Sequence, residues 1–111
     1  MGYQTHYTLN VSYEGSDKEN SYEEIQKVKD ANIDDWYGTI GELIEGGLEA
    51  KWYDHEEDMR RISKQFPKIL FVLEGHGEED GDIWKAYFLE GKCQRCKAEL
   101  RFPPFDATKL K

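Results

Sequence analysis

Residues 54–91 read DHEEDMRRISKQFPKILFVLEGHGEEDGDIWKAYFLEG, and this stretch decides the fold. Its first part is helical. Met59, Ile62 and Phe66 recur at three- and four-residue spacing and form one apolar stripe. Asp54 takes the cap and Glu57 the third helical position, the spacing of a capping box. Glu56, Glu57 and Asp58 crowd the first turn, while Arg60, Arg61 and Lys64 follow, an order that suits the helix dipole. Pro67 stops the helix. Residues 68–74, KILFVLE, are the most hydrophobic run and predict a central strand. Residues 75–81 form a loop rich in glycine and acid. Residues 82–89 predict a strand with Ile83 or Trp84 turned inward. Glu90-Gly91 is a two-residue hairpin turn, residues 92–102 return, and Pro103-Pro104 ends the strand.

Working outward, residues 7–13 alternate Tyr7, Leu9, Val11 and Tyr13 with Thr8, Asn10 and Ser12, a half-buried strand. Residues 14–20 are a charged loop. Residues 21–31 predict a helix capped by Ser21, with Glu24 completing a second capping box and Tyr22, Ile25 and Val28 on one face. Residues 34–45 predict another, through Trp36, Ile40, Leu43 and Ile44, although Gly38 and Gly41 weaken it; Gly46-Gly47 ends it. Residues 48–53 predict a strand with Trp52 inward. This order gives one α+β domain over residues 1–111, a largely antiparallel sheet covered on one face by helices. Leu9, Val11, Ile62, Phe66, Ile69, Phe71 and Leu73 are its expected core.

The chain has 111 residues, 38% hydrophobic and 14% aromatic, which leaves room for one core and too many rings for a disordered chain. The net charge of −8 argues against direct nucleic-acid binding. The charge is uneven. Residues 1–58 carry 15 acidic against 4 basic side chains, and residues 59–111 carry 8 against 11, nets of −11 and +3. No apolar run approaches the roughly 18 residues of a membrane span, and the start is neither a signal peptide nor a myristoylation signal. The expectation is a soluble protein of the cytoplasm with two reduced thiols.

Three segments hold candidate chemistry. Cys93-Gln94-Arg95-Cys96 is a lone CxxC with no second pair to complete a zinc site. Within a strand, residues three apart point to opposite faces, so the plain reading is two ordinary strand cysteines. Residues 74–82 gather five carboxylates and His76, which offers a cation or nucleotide site, but the spacing is not that of an EF-hand. The plain reading is an exposed hairpin loop. In residues 54–58 a carboxylate adjoins His55 without HExxH spacing, and capping already explains it. No nucleophile elbow, P-loop or dinucleotide fingerprint occurs, so neither catalysis nor a cofactor is expected. The aromatics are expected mostly in the core, though Trp52-Tyr53 must turn one ring outward if both lie in a strand, a potential protein-binding anchor.

From residues 51–105, KWYDHEEDMRRISKQFPKILFVLEGHGEEDGDIWKAYFLEGK and beyond, the chain resembles small proteins of bacteriophages and mobile elements. The shared pattern is a strand ending Trp-Tyr-Asp, a short acidic helix ending Ser-x-x-aromatic-Pro (here Ser63 to Pro67), a hydrophobic strand, a Gly-Glu-Glu loop and an aromatic hairpin. The resemblance covers about half the chain and implies a ferredoxin-like variant with a C-terminal β-hairpin. Small acidic phage proteins include anti-CRISPR and other anti-defence inhibitors, some of which mimic the charge of DNA. The implied function is non-enzymatic inhibition of a basic, nucleic-acid-handling protein, such as a CRISPR or other defence effector, in the cytoplasm of a bacterial host.

The carboxylates expected to meet that partner are Glu56, Glu57, Asp58, Glu78, Glu79, Asp80 and Asp82. One cluster precedes the 68–74 strand and the other follows it. They are therefore expected at opposite ends of the sheet, with only one meeting the partner. The alternatives are a metal or nucleotide binder using residues 74–82, or a structural protein self-assembling through an exposed sheet edge.

Overall fold

The computed structural model describes residues 4–16, 18–34, 37–79, 81–99 and 102–111. The hydrophobic run becomes β5 (Ile69–His76), at the centre of a five-stranded antiparallel sheet. On one side lie β1 (Thr5–Tyr13) and then β4 (Leu48–Ala50); on the other lie β6 (Ile83–Leu89) and β7 (Lys92–Lys97). β1 is antiparallel to both β4 and β5, so those two strands run parallel with β1 between them. The connection between them is α3 (His55–Gln65). This is a split β-α-β unit, the building block of ferredoxin-like folds. The chain has one such unit and then continues into the β6–β7 hairpin.

Period-two alternation sorts the sheet's faces. The inward rows run Tyr7–Gly75–Trp84, Leu9–Leu73–Ala86 and Val11–Phe71–Phe88 across β1, β5 and β6. Val28 of α1 (Ser21–Lys29), Ile40 and Leu43 of α2 (Ile40–Gly46), and Met59 and Ile62 of α3 pack on them as a single core. The opposite face presents Thr8, Asn10, Leu70, Val72, Lys85, Tyr87 and Leu89, all half-buried or exposed. Glu90 and Gly91 both have positive φ, 52° and 80°, as a tight hairpin turn requires. Gly91 N–H donates to Ser63 Oγ at 2.8 Å, which pins that turn to α3.

Several expectations are corrected. Residues 34–45 do not form one helix. Asn32–Asp34 and Gly38–Thr39 pair as a small hairpin, β2 and β3, and α2 starts only at Ile40. Gly38 at φ 82° breaks the helical pattern, and Thr39 Oγ1 caps the new helix by accepting Glu42 N–H at 3.3 Å. Trp36 lies outside the described residues. The N-cap of α1 is Asn20, not Ser21, and the helix ends at Lys29. Asp54 does occupy the α3 N-cap, but its side chain makes no capping bond. Its φ and ψ of −94° and 23° depart from the extended geometry of side-chain caps; instead its carbonyl accepts Asp58 N–H at 2.9 Å.

β4 stops at Ala50, yet Trp52 beyond it is 1% exposed. β7 stops at Lys97 instead of continuing to Phe102. Trp84 is the inward residue, and Ile83 faces out. Of the expected core, Val11 and Phe66 are only half-buried. Phe66 falls beyond the last turn of α3, at its C-cap.

Candidate functional site

β4 runs parallel to β5, so β4 ends and α3 begins at the end where β5 turns into β6, and α3 then runs back along the sheet. His55, the first residue of α3, stacks on Trp84 with ring centroids 4.9 Å apart and planes 21° apart. Trp84 lies two residues past Asp82. The two acidic segments therefore sit at the same end of the sheet, not at opposite ends. The expectation failed because it placed the acidic turn at the start of β5, whereas the whole length of α3 lies between that turn and the strand.

An aromatic cluster holds this end together. Tyr7 meets Trp52 edge-on at 5.3 Å and Trp84 at 6.0 Å. The Tyr7 hydroxyl donates to Trp52 O at 3.2 Å, and burial pushes its pKa up. Trp52 Nε1 donates to Asp58 Oδ2 at 2.7 Å. The Arg95 guanidinium lies 4.9 Å from the other ring centre, that of Trp84. Gly75, opposite Trp84 in β5, leaves the space that the indole occupies. Burial, and then Arg95, hold the His55 pKa below its ordinary value, and His55 Nδ1 is buried without a hydrogen bond.

The expected partner-binding carboxylates divide by what they touch. Asp58 is committed to Trp52 and also lies 3.7 Å from Arg61. Glu56 pairs with Arg60 at 3.3 Å, and its other oxygen receives the Cys93 thiol at 3.9 Å. Glu57, Glu78 and Glu79 are exposed, and Asp82 is half-buried. Asp80 lies outside the described residues. The backbone of Asp82 closes the loop, donating to Glu79 O and accepting from Gly77 N–H. Tyr53 is 79% exposed beside Asp54 and the acidic turn. The paired aromatics Trp52-Tyr53 split, one ring in and one out, although both lie beyond β4 and not in the strand from which that split was expected.

The other candidates disperse. Cys93 sits on the helix side of β7, partnered with Phe88, while Cys96 partners Lys85 on the open face. Burial, and then Glu56, push the Cys93 thiol pKa up. Glu74 leaves the loop for the open face, where it pairs with Lys85 at 3.1 Å. Among the described residues no three His, Cys, Asp or Glu side chains converge as metal ligands, and no helix is long and apolar enough to cross a membrane. Clefts of about 370 Å³ and 310 Å³ flank the start of β6, sharing Ile83, Trp84, Lys97 and Ala98 in their walls. Comparison with protein-family models, with curated proteins and with solved structures finds no match to this chain.

Proposed function

We propose that this chain is a non-catalytic binding protein that docks on a basic protein through the sheet end where α3 begins. Its contact surface consists of Tyr53, Asp54, Glu57, Glu78 and Glu79. The observation that carries this reading is the start of α3 beside the β5–β6 loop, fixed by the His55–Trp84 stack. It puts the exposed carboxylates of two separate segments at one end of the sheet. Tyr53 supplies what charge alone lacks, a large amphipathic side chain of the type that dominates interface energies. Glu56 and Asp58 support the surface from behind, since their charges are already answered within the fold. The partner class follows the phage resemblance: a nucleic-acid-handling protein with a cationic face, a CRISPR or other defence effector being the leading case.

The test begins with capture of a partner on the wild-type protein from a bacterial lysate, followed by binding kinetics against that partner. Charge at an interface acts mainly on the association rate and is screened over about 8 Å at physiological salt. Reversing Glu57, Glu78 and Glu79 to Lys is expected to slow association at low salt, with a smaller difference at high salt. Tyr53→Ala is expected to speed dissociation. If association is indifferent to both the triple reversal and salt, an anionic docking surface is not how the protein binds.

A further inference from the structure

One row of side chains on the uncovered face of the sheet brings two imidazoles together. His6 of β1 and His76 of β5 are direct cross-strand partners. His6 also faces Glu49 of β4, and His76 faces Ile83 of β6. Glu49, His6, His76 and Ile83 therefore follow one another across four strands, and all four are exposed. The register beneath them is continuous from His6–His76 to Tyr13–Ile69, with no bulge. Such pairing holds the two histidine Cβ atoms about 4.5–5.5 Å apart on one face. Two opposed imidazoles add nothing to the hold of one strand on the other, and they repel whenever both are protonated. Folding alone does not account for the pair.

We propose that His6 and His76 bind a divalent transition-metal ion of the zinc type, with Glu49 as the third ligand. Chemistry selects the class of ion. Neutral imidazole nitrogens suit Zn²⁺, Cu²⁺ and Ni²⁺, whereas Mg²⁺ and Ca²⁺ take oxygen. Two imidazoles and one carboxylate are a three-ligand zinc set that leaves a position for water. The spacing fits. With zinc–nitrogen bonds of about 2.0–2.1 Å, two nitrogens on one tetrahedral ion stand about 3.3 Å apart, within reach of two rings on cross-strand partners. Among the described residues no three ligand side chains converge as the rings now stand. The His6 ring leans over Gly47, where an added Cβ would lie 2.9 Å from Nε2. Rotation about χ1 swings it toward His76, and the exposure of both rings leaves that rotation open. The backbone is already in register, so binding orders side chains only. The net charge of −8 favours a cation. Neither cysteine shares the row: Cys93 faces the helices, and Cys96 lies two strands from His76. The row lies on the face opposite α3, so this inference does not depend on the proposed function.

Isothermal titration of the metal-stripped full chain with zinc chloride tests it. One ion per chain is expected, displaced by Cu²⁺ and indifferent to millimolar Mg²⁺ or Ca²⁺. His6→Ala and His76→Ala are each expected to raise the zinc dissociation constant about a hundredfold, and Glu49→Gln about tenfold. Cys93→Ser with Cys96→Ser is expected to leave it unchanged. Zinc should also raise the melting temperature of the wild type, and of neither histidine variant, because the ion binds only the folded register. His6 and His76 are exposed, so their metal-free melts should match wild type; His6→Gln and His76→Gln replace the alanine variants should either lose its cooperative transition. A wild type that takes up no zinc overturns the proposal. So does an affinity that survives both histidine substitutions, or one that is lost with the cysteine pair instead.

Discussion

Replacing Gly75 with Ala puts one methyl group where the Trp84 indole lies. The new Cβ would sit 2.6 Å from Nε1, and nearer still to Cε2 and Cζ2. Neither side can yield cheaply. Gly75 is buried in the middle of the sheet, paired with Tyr7 on one flank and Trp84 on the other. Trp84 stacks on the His55 ring and has the Arg95 guanidinium 4.9 Å from its ring centre. Relieving the clash means tilting the indole out of that stack. Overpacking of this kind costs roughly 1–3 kcal/mol, and loss of an aromatic contact adds about 0.5–1.5 kcal/mol. Against this, an alanine in a strand gains roughly 0.5–1 kcal/mol over glycine. A net loss of about 1–3 kcal/mol remains. With an unfolding entropy near 2.1 cal/mol/K per residue, each kcal/mol shifts the melting temperature of this chain by about 4 °C. The expected fall is therefore roughly 4–13 °C in a thermal melt followed by circular dichroism. Gly46→Ala is the matched control: a Cβ there meets nothing within 4 Å, so its melting temperature should hold or rise. A Gly75→Ala protein that melts within about 1 °C of wild type would refute the reasoning, because the indole would then have room the packing denies it.

Three further predictions rest on single contacts. Ser63 is fully buried, donates to Arg60 O and accepts Gly91 N–H, so Ser63→Ala orphans the hairpin's amide and should lower stability by about 1–3 kcal/mol in urea unfolding; a change under about 0.5 kcal/mol would mean water replaces the hydroxyl. Asp58→Ala should destabilise by a similar amount, about 1–3 kcal/mol, through the lost Trp52 Nε1 bond, whereas Glu57→Ala should leave the urea midpoint nearly unchanged; equal effects would erase the division between supporting and presented carboxylates. His55 binds its proton less readily folded than unfolded, as burial and Arg95 dictate, so the unfolded chain holds more protons at mildly acidic pH. Its contribution to stability is then complete above the unfolded pKa near 6.5 and is lost as pH falls from there through the lower folded value; His55→Gln should remove that slope, and an imidazole titrating at or above 6.5 by NMR would contradict it.

The parts of the fold legible in the sequence are those where one physical rule acts alone. The 69–76 strand, the α3 stripe of Met59 and Ile62, and the Glu90-Gly91 turn follow from hydrophobic period and turn chemistry. Residues 34–45 misled because Ile40, Leu43 and Ile44 have true helical spacing, but the pattern was carried backwards across Gly38, whose positive φ belongs to a hairpin. The capping box at Asp54 failed on backbone angles, which spacing does not encode. Among site residues, Glu57, Glu78 and Glu79 were legible as exposed charges, yet that their segments share one end of the sheet was not. It depends on which end of the sheet α3 starts from, a tertiary fact. Tyr53 was singled out by strand alternation, yet β4 stops at Ala50, so its exposure is set by the turn into α3 and not by that rule. The cluster of His55, Gly75, Trp84 and Arg95 joins four separate elements, and no local signal announces it.

The split β-α-β unit also has a consequence in time. β1 pairs with β5 across separations of 56 residues, from Tyr13 to Ile69, up to 70 residues, from His6 to His76. At roughly 5–20 residues per second, a ribosome needs about 3–14 s to supply the partner after β1 itself has been made. During that interval the β5-facing edge of the β-prone segment YTLNVSY is bare, and the only strand made meanwhile that pairs with β1 is the three-residue β4, which reaches no further than Tyr7. Synthesis therefore exposes the flank of β1 that the finished sheet covers from His6 to Tyr13. Slowing translation between residues 14 and 68 should lower the soluble yield of this chain more than the same delay placed after residue 89.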